Sequence, residues 1–548
     1  MFRPVSTDSK EAQLWFDRGL NWCYGYNYEE AVRCFRKASE FDPSCAMAYW
    51  GMAYASGSNY YQAWRAFGKE LLKQVASDCY RLTQEAVARL DNTSALERAL
   101  IVALPKRYQS AQVASNDEFR AWNDAFCAAM KEVYASFPDD FDICALYADV
   151  MINKTPDKLW DIKRGVPAEG ADTVAAMDVL ERALRQMEEG EREPHPGVMH
   201  VYIHTMEMSP FPERAWYAAN GLRDMVPDAG HLQHMPSHID ILCGHYYDAV
   251  VANNKAIVAD RKYLEREGPL NYYTIYRSHN YHFKLYAAMF LGQYKTAMDT
   301  VNEMIATIPE ALLRVSEPPM ADWLESFIGM KMDVLIRFGK WQEIINEPLP
   351  DDPTLYSVTT TMIHYAKGLA HAALGNVEAA EEEKQRFLDA FATVPETRTV
   401  YNNKCRDILA VAAEMLNGEI EYRKGNYEKA FKHLRQSVFL DDNLLYSEPW
   451  AWMQPTRHAL GALLLEQGHV EEAEQVYRAD LGLDNTLSRG LQHPLNLWSL
   501  HGYVEWLIRQ NKHAEAAAAQ ARLNLAMAHA DVPIHASCYC RGETSCCD

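Results

Sequence analysis

No stretch of about 18 uncharged apolar residues occurs in the 548-residue sequence, and the opening residues Met1 to Asp8 carry one Arg and no apolar run. No membrane span or secretion leader is expected, and the cytoplasm is the expected compartment. Cysteine is sparse, 12 in 548 residues, with four of the 12 crowded into the last eleven positions. That excludes a disulfide scaffold and leaves the tail to be explained separately. Positive charge is in the minority: 54 Lys and Arg against 75 Asp and Glu leave a net charge of −21, which repels phosphate backbones and argues against a nucleic-acid partner. Alternating β-branched runs are nearly missing, and no Gly/Ser-rich or low-complexity stretch marks a linker. A Walker loop, a dinucleotide Gly triplet after a strand, a Gly-x-Ser-x-Gly elbow and a His-Glu-x-x-His pair are all absent, so nucleotide chemistry and serine hydrolysis have no support.

Helical periodicity fills the space those absences leave. Hydrophobic residues at 48% and charged residues at 24% supply a globular core. Trp15, Gly19, Trp22, Ala31, Phe35, Ala38 and Pro43 fall at offsets 0, 4, 7, 16, 20, 23 and 28. Gly19 and Ala31 are small where two antiparallel helices would cross, Phe35 fills the next gap, and Pro43 stops the second helix. The grammar recurs at Gly244-His245-Tyr246 with Ala249, Gly292-Gln293-Tyr294 with Ala297, Gly375 with Ala380, Gly425-Asn426-Tyr427 with Ala430, and Gly468-His469-Val470 with Ala473. The spacing resembles the tetratricopeptide repeat (TPR) of about 34 residues. The resemblance implies an all-α fold, a right-handed TPR-like superhelix of antiparallel helix pairs. One pair cannot bury its apolar face alone, so neighbours must stack.

Read in segments, residues 1–65 form N-terminal repeats, 66–190 irregular pairs with insertions, 191–310 His-rich repeats, 311–530 C-terminal repeats and 531–548 a Cys-rich tail. Segments 91–116, 155–172 and 349–355 interrupt the period and read as long loops or insertions.

Histidine is concentrated. Nine of 19 lie between His195 and His282, where an even spread would place about three. The TPR resemblance implies that the first helix of each pair lines a concave groove with its second, fifth, ninth and twelfth places. In that register His200, His204 and Glu207 share one groove face, His231, His234 and His238 the next, and His279 and His282 the one after. His195 precedes Pro196 at a helix start, and Pro236 places a second start near Met235. His245 falls in a turn and is left out. Neutral imidazoles suit Zn, Cu, Fe and Ni. Because imidazoles far outnumber the carboxylate, copper is the first expectation. Iron, with His200, His204 and Glu207, is the second, and zinc the third. Glu207 is also the candidate catalytic residue; Asp149 reads first as a solvated or capping acid and second as a further carboxylate for the site.

In the tail, Cys538 and Cys540 would suit a soft metal if Pro533-Ile534-His535 carried them back to the imidazoles. Trp450, Trp452, Arg457, His458, His493 and His501 would line the far groove or pack between helices. The segments His195–Glu207, His231–His238, Glu448–Arg457 and Cys538–Arg541 resemble a group of bacterial and fungal TPR proteins, which brings no activity with it. Two functions follow as expectations. One is a metal-dependent oxidoreductase, with O₂ as oxidant, acting on a small molecule or peptide. The other is a scaffold holding a partner protein or peptide against groove aromatics such as Trp50 and Tyr54.

Overall fold

The computed structural model describes residues 2–190 and 192–541; Cys546 and Cys547 lie outside them. Among the described residues the chain is all-α apart from two two-residue hairpins, Trp160–Asp161 with Val166–Pro167 and Thr399–Val400 with Asn403–Lys404. It divides into two compact units, residues 1–239 with 255–265, and residues 240–254 with 266–548.

The first unit opens with the antiparallel helices Lys10–Tyr24 and Tyr28–Phe41, followed by Ala46–Ser56 and Lys69–Val87. Ser9 and Asn27 cap the first two by accepting from Ala12 and Glu30 backbone N–H groups. Phe35 explains the small residues around it. A Cβ on Gly19 or on Gly51 would lie 2.6 Å from its ring, so the ring fills a slot that only glycines leave open on the two flanking helices. Segment 91–116 is not the loop its composition suggests. It holds the helix Ala95–Ala103, started by a capping box between Ser94 and Glu97. Segment 155–172 contains the first hairpin, and Trp160 Nε1 donates to the carbonyl of Thr205 at 2.7 Å, tying that insertion to the site helix.

The second unit repeats the device. Tyr477, on Val470–Asp480, fills the gap between Gly461 on Thr456–Glu466 and Gly502 on Leu497–Arg509. Pairs such as Ser357–Ala373 with Val377–Thr393, and Cys405–Arg423 with Tyr427–Asp441, stack in the same antiparallel manner. These helix pairs are of the tetratricopeptide kind. The turns that join them place a glycine two residues before the second helix, at φ 80° for Gly244, 71° for Gly292, 79° for Gly425 and 78° for Gly468. In the first pair that place is held by Tyr26, at φ 52°.

Candidate metal centre

Within the first unit the helix Pro196–Met206 is buried along its whole length, between Lys10–Tyr24, Phe141–Ile152, Thr173–Glu188 and Trp216–Leu222. Its opening His-Pro-Gly has a separate reason for each residue. His195 caps the helix by accepting from Val198 N–H through Nδ1, and Pro196 takes the first helical place, where no N–H is needed. Gly197 lets Tyr24 close in, since a Cβ there would lie 2.5 Å from that ring. The close approach brings the Tyr24 carbonyl to 2.6 Å from His200 Nδ1.

His200 therefore gives its Nδ1–H to a fixed carbonyl and keeps its lone pair on Nε2. Glu207, one residue past the helix end, does the same for two more rings. Its Oε1 lies 2.9 Å from His204 Nδ1, and its Oε2 lies 2.5 Å from His238 Nδ1. One carboxylate fixes both tautomers, and three imidazoles present Nε2 lone pairs. His200, His204, His231, His234 and His238 are all 0% exposed. Burial pushes His204 down to about 3, and burial together with neighbouring His204 holds His200 well below the usual imidazole range. Both rings stay neutral and able to donate to a metal.

His200 Nε2 faces His231 Nε2 at 3.1 Å. Two nitrogens bound to one ion at 2.0–2.1 Å sit about 2.9–3.4 Å apart, so this spacing suits a shared ion as well as an N–H···N bond. His204 Nε2 is buried without a hydrogen-bond partner. Donor atoms of His200, His204 and His231 lie within 4.8 Å of one another, as do those of His204, Glu207 and His238. His234 Nε2 approaches His238 Nε2 at 2.7 Å, the contact of a short N–H···N bond, and its backbone carbonyl accepts from Ser237 Oγ. The break at Pro236 falls where the sequence puts it, between the short helix Gly230–His234 and the helix Pro236–Leu242.

Tyrosines wall the cluster. Tyr26 stacks on His204 and His231 at centroid distances of 5.7 and 5.3 Å, and Tyr60 and Tyr61 make ring contacts with His204. Asp149 is not a solvated acid. It accepts from Tyr54 OH at 2.6 Å and Tyr26 OH at 3.1 Å, and burial raises its pKa. It thereby holds Tyr26 against the imidazoles.

The expected ligands are redistributed. His195 has no nitrogen left for a metal, because Nδ1 accepts from Val198 and Nε2 lies 3.1 Å from Asp142 Oδ1. Glu207 gives one oxygen to each of two imidazole N–H groups, the placement of an orienting residue, while its donor atoms also lie within reach of those of His204 and His238. Cys538 and Cys540 are joined in a disulfide and present no thiolate. Their segment is seated within the second unit, where Ser537 Oγ bonds Tyr477 OH at 2.6 Å and Arg423 donates to the Cys540 carbonyl. His279 and His282 also belong to the second unit, with Nδ1 atoms 2.8 and 2.9 Å from Tyr401 OH. That phenol donates to one ring and accepts from the other. Tyr26 was missed by sequence reasoning, although a signal exists: Tyr24-Gly25-Tyr26-Asn27-Tyr28 sets a bulky residue where the sister turns put glycine.

No family model matches the chain, and no curated protein matches it. Among solved structures, the yeast Tom70 aligns at 11% identity over 92% of this chain and 96% of its own, with a TM-score of 0.29. Cut9–Hcn1, an APC/C hetero-tetramer, aligns at 14% identity over 96% and 95%, with a TM-score of 0.24. Naa15/Naa10 bound to HypK aligns at 12% identity over 94% and 70%, with a TM-score of 0.20. The repeat architecture rests on the helix pairs described above and not on these low scores. No helix among the described residues is long and apolar enough to cross a membrane.

Proposed function

We propose that the protein is a helical-repeat metalloprotein whose first unit holds a transition-metal ion on His200, His204 and His231, with His238 beside them and its Nε2 shared with His234. The observation that carries this reading is tautomer control. His200, His204 and His238 each surrender Nδ1–H to a fixed buried acceptor, which is how proteins prepare imidazoles to bind a metal through Nε2. A core has no reason to bury five imidazoles together unless their polar atoms are satisfied. Copper is the first choice, iron the second and zinc the third, since the donor set is imidazole without thiolate and its one carboxylate is engaged elsewhere. Bound copper or iron would supply one-electron redox chemistry, and the oxidoreductase reading extends from there.

The alternative is a non-catalytic scaffold that holds a partner protein or peptide, as the helix-pair fold allows. Metal analysis of purified full-length protein separates the two. The metal reading expects near-stoichiometric copper, iron or zinc after supplementation, falling at least tenfold in His200→Ala and His204→Ala while helical circular dichroism is kept. Protein that retains no transition metal, or variants with unchanged occupancy, would leave the scaffold.

A further inference from the structure

The second unit contains a buried guanidinium to which no described carboxylate hydrogen-bonds, although Asp480 and Asp333 act on it through space. Arg337 ends the helix Lys331–Arg337, is 4% exposed, and stacks its guanidinium over Trp498 at 4.6 Å. Its Nε and Nη2 have no hydrogen-bond partner, and among the described residues no carboxylate pairs with it. The same edge of Arg435 takes both oxygens of Glu472, at 2.6 and 2.7 Å, which is the usual use of that fork. Neighbouring acids are committed or muted. Asp480 is engaged by His458, His493, Asn496 and Ser499, and burial raises the Asp333 carboxyl to about 7. A buried charge left unpaired is costly, and such a group calls for an explanation in a ligand or ion.

Arg337 lines a cavity of about 40 Å³, walled by Trp341, Tyr365 and Trp452 and bordered by the Cys538–Cys540 segment. One water needs about 10–15 Å³ on this measure, so the space suits a molecule of a few heavy atoms. Three more unpartnered polar atoms belong to its lining: Trp452 Nε1, His458 Nδ1 and Glu419 Oε2. His458 directs Nε2 to Asp480 at 3.0 Å, so its Nδ1 carries a lone pair. The cavity thus offers donors from Arg337 and Trp452, and acceptors from His458 and Glu419.

We infer that this cavity binds a small carboxylate that also carries a hydrogen-bond donor, an α-hydroxy or α-amino acid. Its carboxylate takes the Nε–Nη2 edge of Arg337, and its hydroxyl or ammonium group donates to His458 or Glu419. Inorganic phosphate also has oxygens for the fork and, as HPO₄²⁻, one P–OH donor, but it brings a second negative charge toward Glu419 and Asp480, which an α-hydroxy or α-amino acid does not.

The test is calorimetric titration of full-length protein with glycolate, glycine, acetate and inorganic phosphate, alongside Arg337→Gln and Trp452→Phe. Saturable one-to-one binding of glycolate or glycine is expected, with acetate at least tenfold weaker for want of the donor. Arg337→Gln should abolish the binding, and Trp452→Phe should weaken it several-fold. Glycolate can also chelate a metal, so binding that persists in Arg337→Gln lies elsewhere and overturns the assignment. Binding of phosphate alone, or of none of the four probes, overturns it too. If Arg337→Gln does not fold, Trp452→Phe and the acetate comparison decide.

Discussion

Glu207→Gln changes one atom's identity and little of its volume, yet it should disable the metal centre. The carboxylate accepts Nδ1–H from His204 at 2.9 Å and from His238 at 2.5 Å. An amide has one acceptor oxygen and one NH₂ group, so it can serve only one ring as the carboxylate does. The other ring meets a donor and must move its proton to Nε2, which removes the lone pair the metal needs. Loss of such an orienting partner typically costs 10–100-fold in metal affinity, about 1.4–2.7 kcal/mol. The assay is competition against a chelator of known affinity, with helical circular dichroism to confirm that the fold survives. X-ray absorption on the loaded wild type adds a second readout, since an oriented set gives imidazole nitrogens without a carboxylate oxygen from Glu207. Equal affinity in Glu207→Gln, or a carboxylate oxygen in the wild-type metal shell, would refute the tautomer argument.

Two further perturbations test the scaffold around that centre. Asp142 accepts from Tyr24 OH at 2.6 Å and lies 3.1 Å from both His195 and Arg3; burial opposes its ionisation, but these partners hold its pKa down at about 2. A depressed carboxylate stabilises the fold fully above its unfolded pKa and loses that contribution as pH falls through the folded one. About 2 kcal/mol should therefore drain away between roughly pH 4 and pH 2. Urea unfolding across that range should show a shallower acid limb in Asp142→Asn, and parallel limbs would disprove the assignment. Gly51→Ala should gain about 1 kcal/mol of helix propensity but lose about 1–3 kcal/mol by overpacking Phe35. The net expectation is a lower urea midpoint, restored in Gly51→Ala with Phe35→Leu; a midpoint at or above wild type in the single variant would contradict the packing argument.

What the sequence made legible divides along a physical line. Helix pairing could be read because it is enforced by local composition: Gly19 beside Phe35, and glycine at the turns before Tyr246, Tyr294 and Tyr427. The clustering of His200, His204, His231 and His238 could be read because steps of three and four residues put side chains on one helix face. Tautomers could not. Which nitrogen of His200 keeps its lone pair depends on the Tyr24 carbonyl, 176 residues away in sequence. The orienting role of Glu207 depends on His238 reaching its second oxygen. Segment 91–116 misled because the helix Ala95–Ala103 is only nine residues long, too short for periodicity to outweigh the surrounding Pro, Asp and Lys.

One device occurs in both units, and its two versions separate the two sites. In each, a buried acid brackets a pair of imidazoles: Glu207 with His204 and His238, and Asp480 with His458 and His493. Glu207 takes Nδ1 from both rings, so both lone pairs sit on the far Nε2 atoms, where side chains on neighbouring helical turns converge. Asp480 takes Nε2 from His458 and Nδ1 from His493, and the remaining nitrogens are of different kinds, Nδ1 on one ring and Nε2 on the other. Nδ1 lies close to its own backbone and cannot reach as far as Nε2, so this pair is badly shaped for chelation. It is well shaped to leave one acceptor on a cavity wall. The proposed metal site accordingly draws on the Glu207 pair, through His204, together with His200 and His231, and the Asp480 pair supplies His458 Nδ1 to the proposed carboxylate pocket beside Arg337. A single acid-to-imidazole connection, through Nδ1 or through Nε2, is enough to set which chemistry a buried histidine performs.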